Sequence, residues 1–403
     1  MIIRRRLGGL VLLGACALPG AAIAAAPTSP ETATPALPQE FASGDPAFYE
    51  VPNPIPAGEH GDLVRWQVVA SSFTNRYRIM YLSETVAGAP TVVTGLVEAP
   101  DDLAPFGGWR LLLYGHSATG FGDHCAPSSA IDDPSVDLDG ADEFERFGSD
   151  SWVVVSTDYE GLGGPGIHPL LVGVSAGRSM LDAGRAARQL PTLYVGPTTL
   201  VAGFEEGGHA ALWAGELAPA WTPEQSIVAT AVAAPATEVA ALATSAASQP
   251  GSEYLPLAIA TGLASTGPEA LVALGTILTP AGSELLSQWD GACFGADLTV
   301  PGPYLSADLT TVEPFSSSMA ENTAGSVATA GPVLIIHGDA DARVPVEHSA
   351  ALLARLCAAG QVAERRVLAG TTHGSVLSDL SSSGVDWLTG VADGTATPVS
   401  SCG

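Results

Sequence analysis

Glu205 stands at the apex of the stretch Thr199-Leu200-Val201-Ala202-Gly203-Phe204-Glu205-Glu206-Gly207-Gly208-His209. An apolar run opening on two β-branched threonines leads into it. Gly203 and Gly207 flank the apex two residues to either side, and Gly208, Ala210 and Ala211 follow. This pattern describes a strand that turns sharply into a tightly packed helix, the backbone device that lifts a nucleophile clear of a sheet. For acyl transfer the apex residue should be serine; here it is a carboxylate. Two more residues complete an acid–base set in chain order. The apolar run 333–337 ends in Gly338-Asp339-Ala340-Asp341-Ala342-Arg343-Val344-Pro345. Asp341, just before the Val-Pro that opens a helix, is the candidate acid. Asp339 is its reserve, with loop hydrogen bonding as the ordinary role. Thr371-Thr372-His373-Gly374 then supplies a histidine 32 residues after the acid. A lone histidine is usually structural, but one on a small-residue loop after a strand can move protons while the acid orients it.

An anionic intermediate needs two backbone N–H donors. Glu206, right after the apex, should give one. The loop 115–120, with His116 and Ser117, should give the other. Ser117 is itself a poor nucleophile, because its surroundings, G-H-S-A-T-G, are one residue too long for the turn. A formal G-x-S-x-G does occur at Gly173-Val174-Ser175-Ala176-Gly177. The residues before it, 168–172, make a poor central strand. Ser175 is therefore the alternative nucleophile, and otherwise a residue of a helix start. Neither His116 nor His168 has a carboxylate at ligand spacing and there is no CxxC, so no metal and no cofactor is expected.

The elements that must hold these residues can be read from periodicity. Residues 63–70, 77–82 and 91–98 read as opening strands. Residues 110–114, 152–157, 199–204, 227–234, 333–337 and 365–368 read as further strands, and 178–190, 208–217, 346–357 and 375–388 as helices. Their alternation predicts an α/β fold with a mostly parallel sheet flanked by helices. Over 237–314 the pattern changes to Ala/Leu/Ser-rich helices broken by Pro and Gly, which predicts an inserted helical cap or lid. Its Leu255, Ile259, Leu271, Leu274, Ile277 and Leu278 would pack the cap helices together or line an apolar tunnel for an acyl chain. The expected division is a signal peptide over 1–26, a disordered linker over 27–44, core over 45–236, cap over 237–314 and core again over 315–403.

Composition bounds the setting. The 403 residues are 46% hydrophobic and 14% charged, enough for a large core and too apolar for disorder. The formal net charge is −27 and there is no lysine, so nucleic acid is excluded as a partner and anionic membranes are repelled. Arg4 to Arg6, an apolar stretch from Leu7 to Cys16, and Ala22-Ile23-Ala24 read as an export signal with its cleavage site. Leu13-Gly14-Ala15-Cys16 also matches a lipidation motif, which would anchor the chain through Cys16. A membrane enters only through such an anchor or at a lipid interface. Four cysteines remain: Cys125, Cys293, Cys357 and Cys402. An even number in an exported chain predicts two disulfides, and of the three pairings Cys125–Cys293 with Cys357–Cys402 is favoured.

Several motifs together resemble one family. Tyr114-Gly115-His116, Asp158-Tyr159-Glu160-Gly161-Leu162-Gly163 with His168-Pro169, Gly207-Gly208-His209-Ala210-Ala211-Leu212-Trp213, Gly338 to Pro345 and Gly370 to Gly374 look like the secretory lipase family, which includes fungal lipase-A-type enzymes. The resemblance covers about residues 45–390. It implies an α/β-hydrolase fold, a lid between late core strands, and hydrolysis of carboxylic esters, acylglycerols among them. Asp341 and His373 match the family's acid and base. Two positions depart from its pattern: Glu205 replaces the serine, and Ser117 stands where the family tends to carry glycine.

Three functions follow as expectations. The first is a secreted lipase- or esterase-like hydrolase in which Glu205 or a neighbouring group acts in place of serine on a lipid or ester, or on an epoxide or alkyl substrate. The second is a pseudoenzyme that binds lipid or a partner. The third is a serine esterase built on Ser175. A carboxylate attacking an ester would form a mixed anhydride, whereas one attacking an sp3 carbon forms an ordinary alkyl ester that water can cleave.

Overall fold

The computed structural model describes residues 38–71, 74–131, 139–249, 251–295 and 300–403. The expected signal peptide, Cys16 and most of the expected linker lie outside them. Ten strands form one sheet among the described residues. In chain order they are β1 (Gln39–Phe41), β2 (Leu63–Val69), β3 (Asn75–Glu84), β4 (Pro90–Ala99), β5 (Trp109–Gly115), β6 (Trp152–Thr157), β7 (Val195–Phe204), β8 (Ser226–Ala233), β9 (Val333–Gly338) and β10 (Ala363–Leu368). Their spatial order is β1-β2-β3-β4-β6-β5-β7-β8-β9-β10. Strands β2, β3, β4 and β6 pair antiparallel in turn, and every pairing from β6 to β10 is parallel. The parallel half is the part flanked on both faces, which is why its strands read as unbroken apolar runs.

The helices are α1 (Pro127–Ala130), α2 (Asp139–Glu145), α3 (Gly173–Ala187), α4 (Glu206–Trp221), α5 (Val239–Ala246), α6 (Leu255–Ala264), α7 (Pro268–Ile277), α8 (Pro280–Trp289), α9 (Phe315–Glu321), α10 (Val346–Ala358), α11 (Val376–Asp379) and α12 (Val385–Asp393). Two apolar layers sandwich the parallel strands. Helices α3 and α4 pack Met180, Leu181, Ala211 and Leu212 on Leu111, Val201 and Ile335. On the other face Val376, Leu380 and Leu388 pack on Leu112, Leu200, Leu334 and Ile336. Alternate residues of the same strand serve opposite layers, as the two-residue period of a strand requires.

Helices α5 to α8 fill the connection between β8 and β9 and have a core of their own. Leu257, Ile259, Leu263, Leu274, Ile277, Leu285 and Trp289 are buried there with Leu170, Leu171 and Val172. Phe315 and Met319 of α9 join this cluster, so its packing extends past residue 314. Leu255, Ile259, Leu274 and Ile277 are buried, while Leu271 is exposed.

Three readings of local structure are corrected. Gln39–Phe41 pairs in parallel with β2 and so is not linker; two main-chain oxygens after it, those of Ala42 and Asp45, accept from the Gln67 side chain. A three-residue edge strand gives no periodicity, and its pairing is supplied by its neighbour. Helix α3 begins at Gly173 rather than near 178, because the Asn322 side chain accepts from the Gly173 N–H and caps it from across the chain. The final helix is broken, with α11 and α12 joined by one π-helical turn over Leu380–Gly384. Both disulfides form as favoured, Cys125–Cys293 and Cys357–Cys402. No helix among the described residues is long and apolar enough to cross a membrane.

Candidate active site

Glu205 occupies the bend between β7 and α4 with φ 55° and ψ −111°. A non-glycine residue rarely takes such angles, and surrounding contacts must hold it there. Three main-chain hydrogen bonds do so. The Glu205 N–H donates to Ala233 O at 3.0 Å, and its carbonyl accepts from Ala236 at 3.0 Å and His209 at 3.2 Å. The flanking glycines are steric necessities. A Cβ on Gly203 would lie 2.0 Å from Gly207 O, and one on Gly207 would lie 1.8 Å from Gly115 O. The small residues read from the sequence thus let β7, α4 and the end of β5 meet at backbone distance.

The Glu205 side chain is buried, and its Oε2 accepts the Ala118 N–H at 2.9 Å. A backbone N–H beside the apex is the kind of donor that a developing oxyanion needs in an acyl-transfer site. The loop donor beside the apex is therefore Ala118, one residue beyond Ser117. Ser117 is unable to serve because Glu143 takes both its groups: the N–H donates to Glu143 Oε2 at 3.0 Å and the hydroxyl to Oε1 at 2.5 Å. Tyr114 OH donates to Glu143 as well, at 2.8 Å. Burial pushes the Glu143 carboxyl up to about 7 against the pull of these hydrogen bonds. Glu143 stands in an acidic run with Asp142 and Glu145, a pattern that by itself marks a solvated helix face rather than a buried acid. His116 is buried, with Nδ1 2.6 Å from Ser117 O, and burial lowers its pKa to about 4.

Asp341 and His373 come together from the loops after β9 and β10. His373 Nδ1 lies 2.8 Å from Asp341 Oδ2. Asp341 Oδ1 accepts the N–H groups of Arg343 at 2.9 Å and Val344 at 2.8 Å. His337 Nε2 is 3.3 Å from Oδ2 and 2.9 Å from Val344 O, a contact missed in the sequence although the two residues stand four apart. Burial works to raise the Asp341 carboxyl, but His337, His373 and the Val344 N–H together hold it well below the usual carboxylate range. The other nitrogen of His373, Nε2, is shielded from solvent and has no partner, and the ring packs 4.9 Å from that of Phe204. Asp339 accepts the Gly370 N–H at 2.6 Å and keeps to loop bonding.

Ser175 lies elsewhere. It sits on the first turn of α3, buried, with its hydroxyl donated to Glu160. It has helical neighbours rather than a strand-to-helix bend. Glu206 opens α4, and its carboxylate bonds His168 Nε2 at 2.8 Å. Burial is the strongest single influence on His168 and lowers its pKa, but the charge and hydrogen bond of Glu206 together with Glu160 outweigh it, and the net direction is up. Among the described residues one trio of possible metal ligands lies close together, His124 with Cys125 and Cys293, and its two sulfurs are joined in a disulfide.

A cavity of about 370 Å³ opens against Ser117, Phe204 and His373. A second, of about 380 Å³, lies between Phe121 and Leu274, Leu286 and Trp289 of the helical insertion. A larger one, of about 800 Å³, lies within the insertion and reaches none of the residues above.

Known proteins share the fold and the family of this chain. The solved structure of Candida antarctica lipase A superposes with a TM-score of 0.72 at 19% identity, covering 86% of this chain and 85% of that one. A putative hydrolase of Legionella pneumophila gives 0.66 at 17% identity over 81% and 92% of the two chains. The rice cell wall degrading esterase LipA of Xanthomonas oryzae gives 0.58 at 19% identity over 84% and 97%. At these identities the likeness establishes the α/β-hydrolase fold. By sequence, Lipase 7 of Candida albicans is 27% identical over 197 residues, which span 46% of this chain and 45% of that protein. The family model for secretory lipase matches residues 146–396. The match takes in the apex, the acid and the histidine together, and the two disulfides fit the extracellular setting of such proteins. This chain therefore belongs to the secretory lipase family of lipase- and esterase-like hydrolases.

Proposed function

We propose that this protein is a secreted hydrolase that takes a lipid-like substrate into the cavity lined by His373 and Phe204 and uses Glu205 as a carboxylate nucleophile. One observation carries the reading: the Ala118 N–H holds Glu205 Oε2, leaving Oε1 without a hydrogen bond among the described residues. In an sp3 displacement, Oε1 attacks carbon, as in opening an epoxide. The new C–O bond forms as the old one breaks, and the departing oxygen takes a proton from solvent water. The product is an alkyl ester of Glu205. His373, oriented by Asp341, then removes a proton from water through Nε2, and the hydroxide adds to the ester carbonyl. The oxyanion of that intermediate is Oε2, already on the Ala118 N–H. In the collapse His373 returns its proton to the departing oxygen, the alcohol leaves, and the acid formed gives its own proton to solvent, which restores the carboxylate and balances the proton taken up in the first step.

Ester hydrolysis, the reaction the family suggests, is disfavoured by the same contact. A substrate carbonyl oxygen would have to displace the Glu205 carboxylate from its donor and then develop charge beside it. This favours, as the second reading, a pseudoenzyme that binds lipid in the pocket. The apolar cavity beside Trp289 would hold the chain of such a ligand, under the helices read as a lid.

The test compares wild type, Glu205→Ser and Glu205→Gln on p-nitrophenyl esters and on alkyl epoxides. A carboxylate nucleophile predicts epoxide turnover by wild type, lost in Glu205→Gln. No epoxide turnover, with ester turnover rising at least about 10³-fold in Glu205→Ser, would leave the pseudoenzyme instead. Export through residues 1–26 is proposed with this reading, and the mass of the mature protein decides between simple cleavage and a lipid on Cys16.

A further inference from the structure

The chain carries 42 acidic residues against 15 arginines and no lysine, so an arginine without an acidic or carbonyl partner stands out. Twelve of those arginines lie among the described residues. Ten are engaged: Arg76 with Glu98, Arg185 with Glu224 and Arg365 with Ser349 are examples. Arg146 and Arg343 are the two whose guanidinium groups make no hydrogen bond or ion pair to a described residue. They come from distant parts of the chain, one just after α2 and the other in the loop that carries Asp341. Yet both line the single 370 Å³ cavity that opens on His373 and Ser117.

We propose that Arg146 and Arg343 are a recognition pair for an anionic head group, a carboxylate, sulfonate, sulfate or phosphate, on the ligand of this pocket. The inference rests on that pocket being the substrate site, as proposed above, and adds the charge of what enters it. Two guanidinium forks converging on one cavity suit a tetrahedral or planar oxyanion, since each can bind two oxygens in parallel. Two acids share the wall. Glu143 is already held by Tyr114 and both groups of Ser117, and burial pushes its carboxyl up to about 7, so near neutral pH it carries only part of a charge. Asp142 is exposed and pairs with neither arginine. A net charge of −27 repels anions at long range, so selection has to come from local contacts such as these.

The experiment measures binding of 1-octanesulfonate and of its neutral counterpart, octyl methyl sulfone, by calorimetry below the micellar concentration. Wild type, Arg146→Gln, Arg343→Gln and the double variant are compared at low and high salt, with circular dichroism as the check on folding. Both positions are exposed, so the fold should survive. The sulfonate should bind wild type at least about tenfold more tightly than the sulfone, and each substitution should cost about tenfold for the sulfonate alone. That preference without any epoxide or ester turnover would support this inference while overturning the nucleophile reading. Turnover of neutral epoxides with no sulfonate preference would do the reverse. Equal binding of the two ligands by wild type, or sulfonate binding unchanged in the double variant, overturns the recognition pair.

Discussion

At the scale of single residues, the site is a contest for one backbone donor. Ala118 N–H is held by Glu205 Oε2 at 2.9 Å, which a serine at the apex would leave open. Replacing the carboxylate by Ser should release it, so ester turnover in Glu205→Ser should in turn depend on the acid. Adding Asp341→Asn to that variant should lower kcat about 10⁴-fold, because the amide favours the wrong tautomer of His373. Equal kcat in both would mean that His373 does not depend on Asp341. Ser175 offers the contrasting case. Its hydroxyl is tied to Glu160 within a helix, so Ser175→Ala should leave turnover within about twofold and cost about 1 kcal/mol of stability. Loss of all turnover in that variant, with the fold intact, would revive the serine-esterase reading.

At the scale of elements, the decisive unit is the bend from β7 to α4. Gly203 and Gly207 are there because main chain from three segments converges. Gly207→Ala would put a Cβ 1.8 Å from Gly115 O, against backbone that has no room to yield. We expect a loss of about 3 kcal/mol or more, seen as a large fall in the denaturant midpoint. Gly275, whose added Cβ would meet nothing within 4 Å, is the control and should tolerate alanine. The loop after β5 is held in a comparable way. Glu143 fixes Ser117 with two bonds, and this hands the next N–H, that of Ala118, to the apex.

At the scale of the whole molecule, two buried acids should shape stability against pH. Glu143 is pushed up to about 7 and Asp158 to about 6, in both cases chiefly by burial. The folded chain then holds protons that the unfolded chain releases above the ordinary values of 4.5 and 3.8. Stability should therefore fall as pH rises through the window from about 4 to 7. Asp341 acts in the opposite sense: its depressed carboxyl stabilises the fold above the ordinary value and loses that effect in stronger acid. A thermal midpoint that peaks in mild acid is expected, with a shallower alkaline slope in Glu143→Gln. An unchanged slope would mean Glu143 titrates alike folded and unfolded. The Cys125–Cys293 bridge spans 168 residues and ties the loop after β5 to the segment after α8. Removing it as Cys125→Ser with Cys293→Ser should cost about 5 kcal/mol by chain entropy, measurable in urea.

The sequence by itself determined the framework: which runs become the parallel strands, where the bend falls, and that Asp341 and His373 follow it in order. Those features depend on neighbours a few residues apart, through the alternation of apolar positions and the steric demand for glycine at Gly203 and Gly207. The favoured disulfide pairing also matches the structure. Only the tertiary structure decided that Ala118 and not Ser117 faces the apex, because the competitor for Ser117, Glu143, lies 26 residues away on another element. It likewise drew Gln39–Phe41 into the sheet and gathered Arg146 and Arg343 on one cavity. Each of these turns on which distant group reaches a donor, an edge or an opening first, and no spacing along the chain records that.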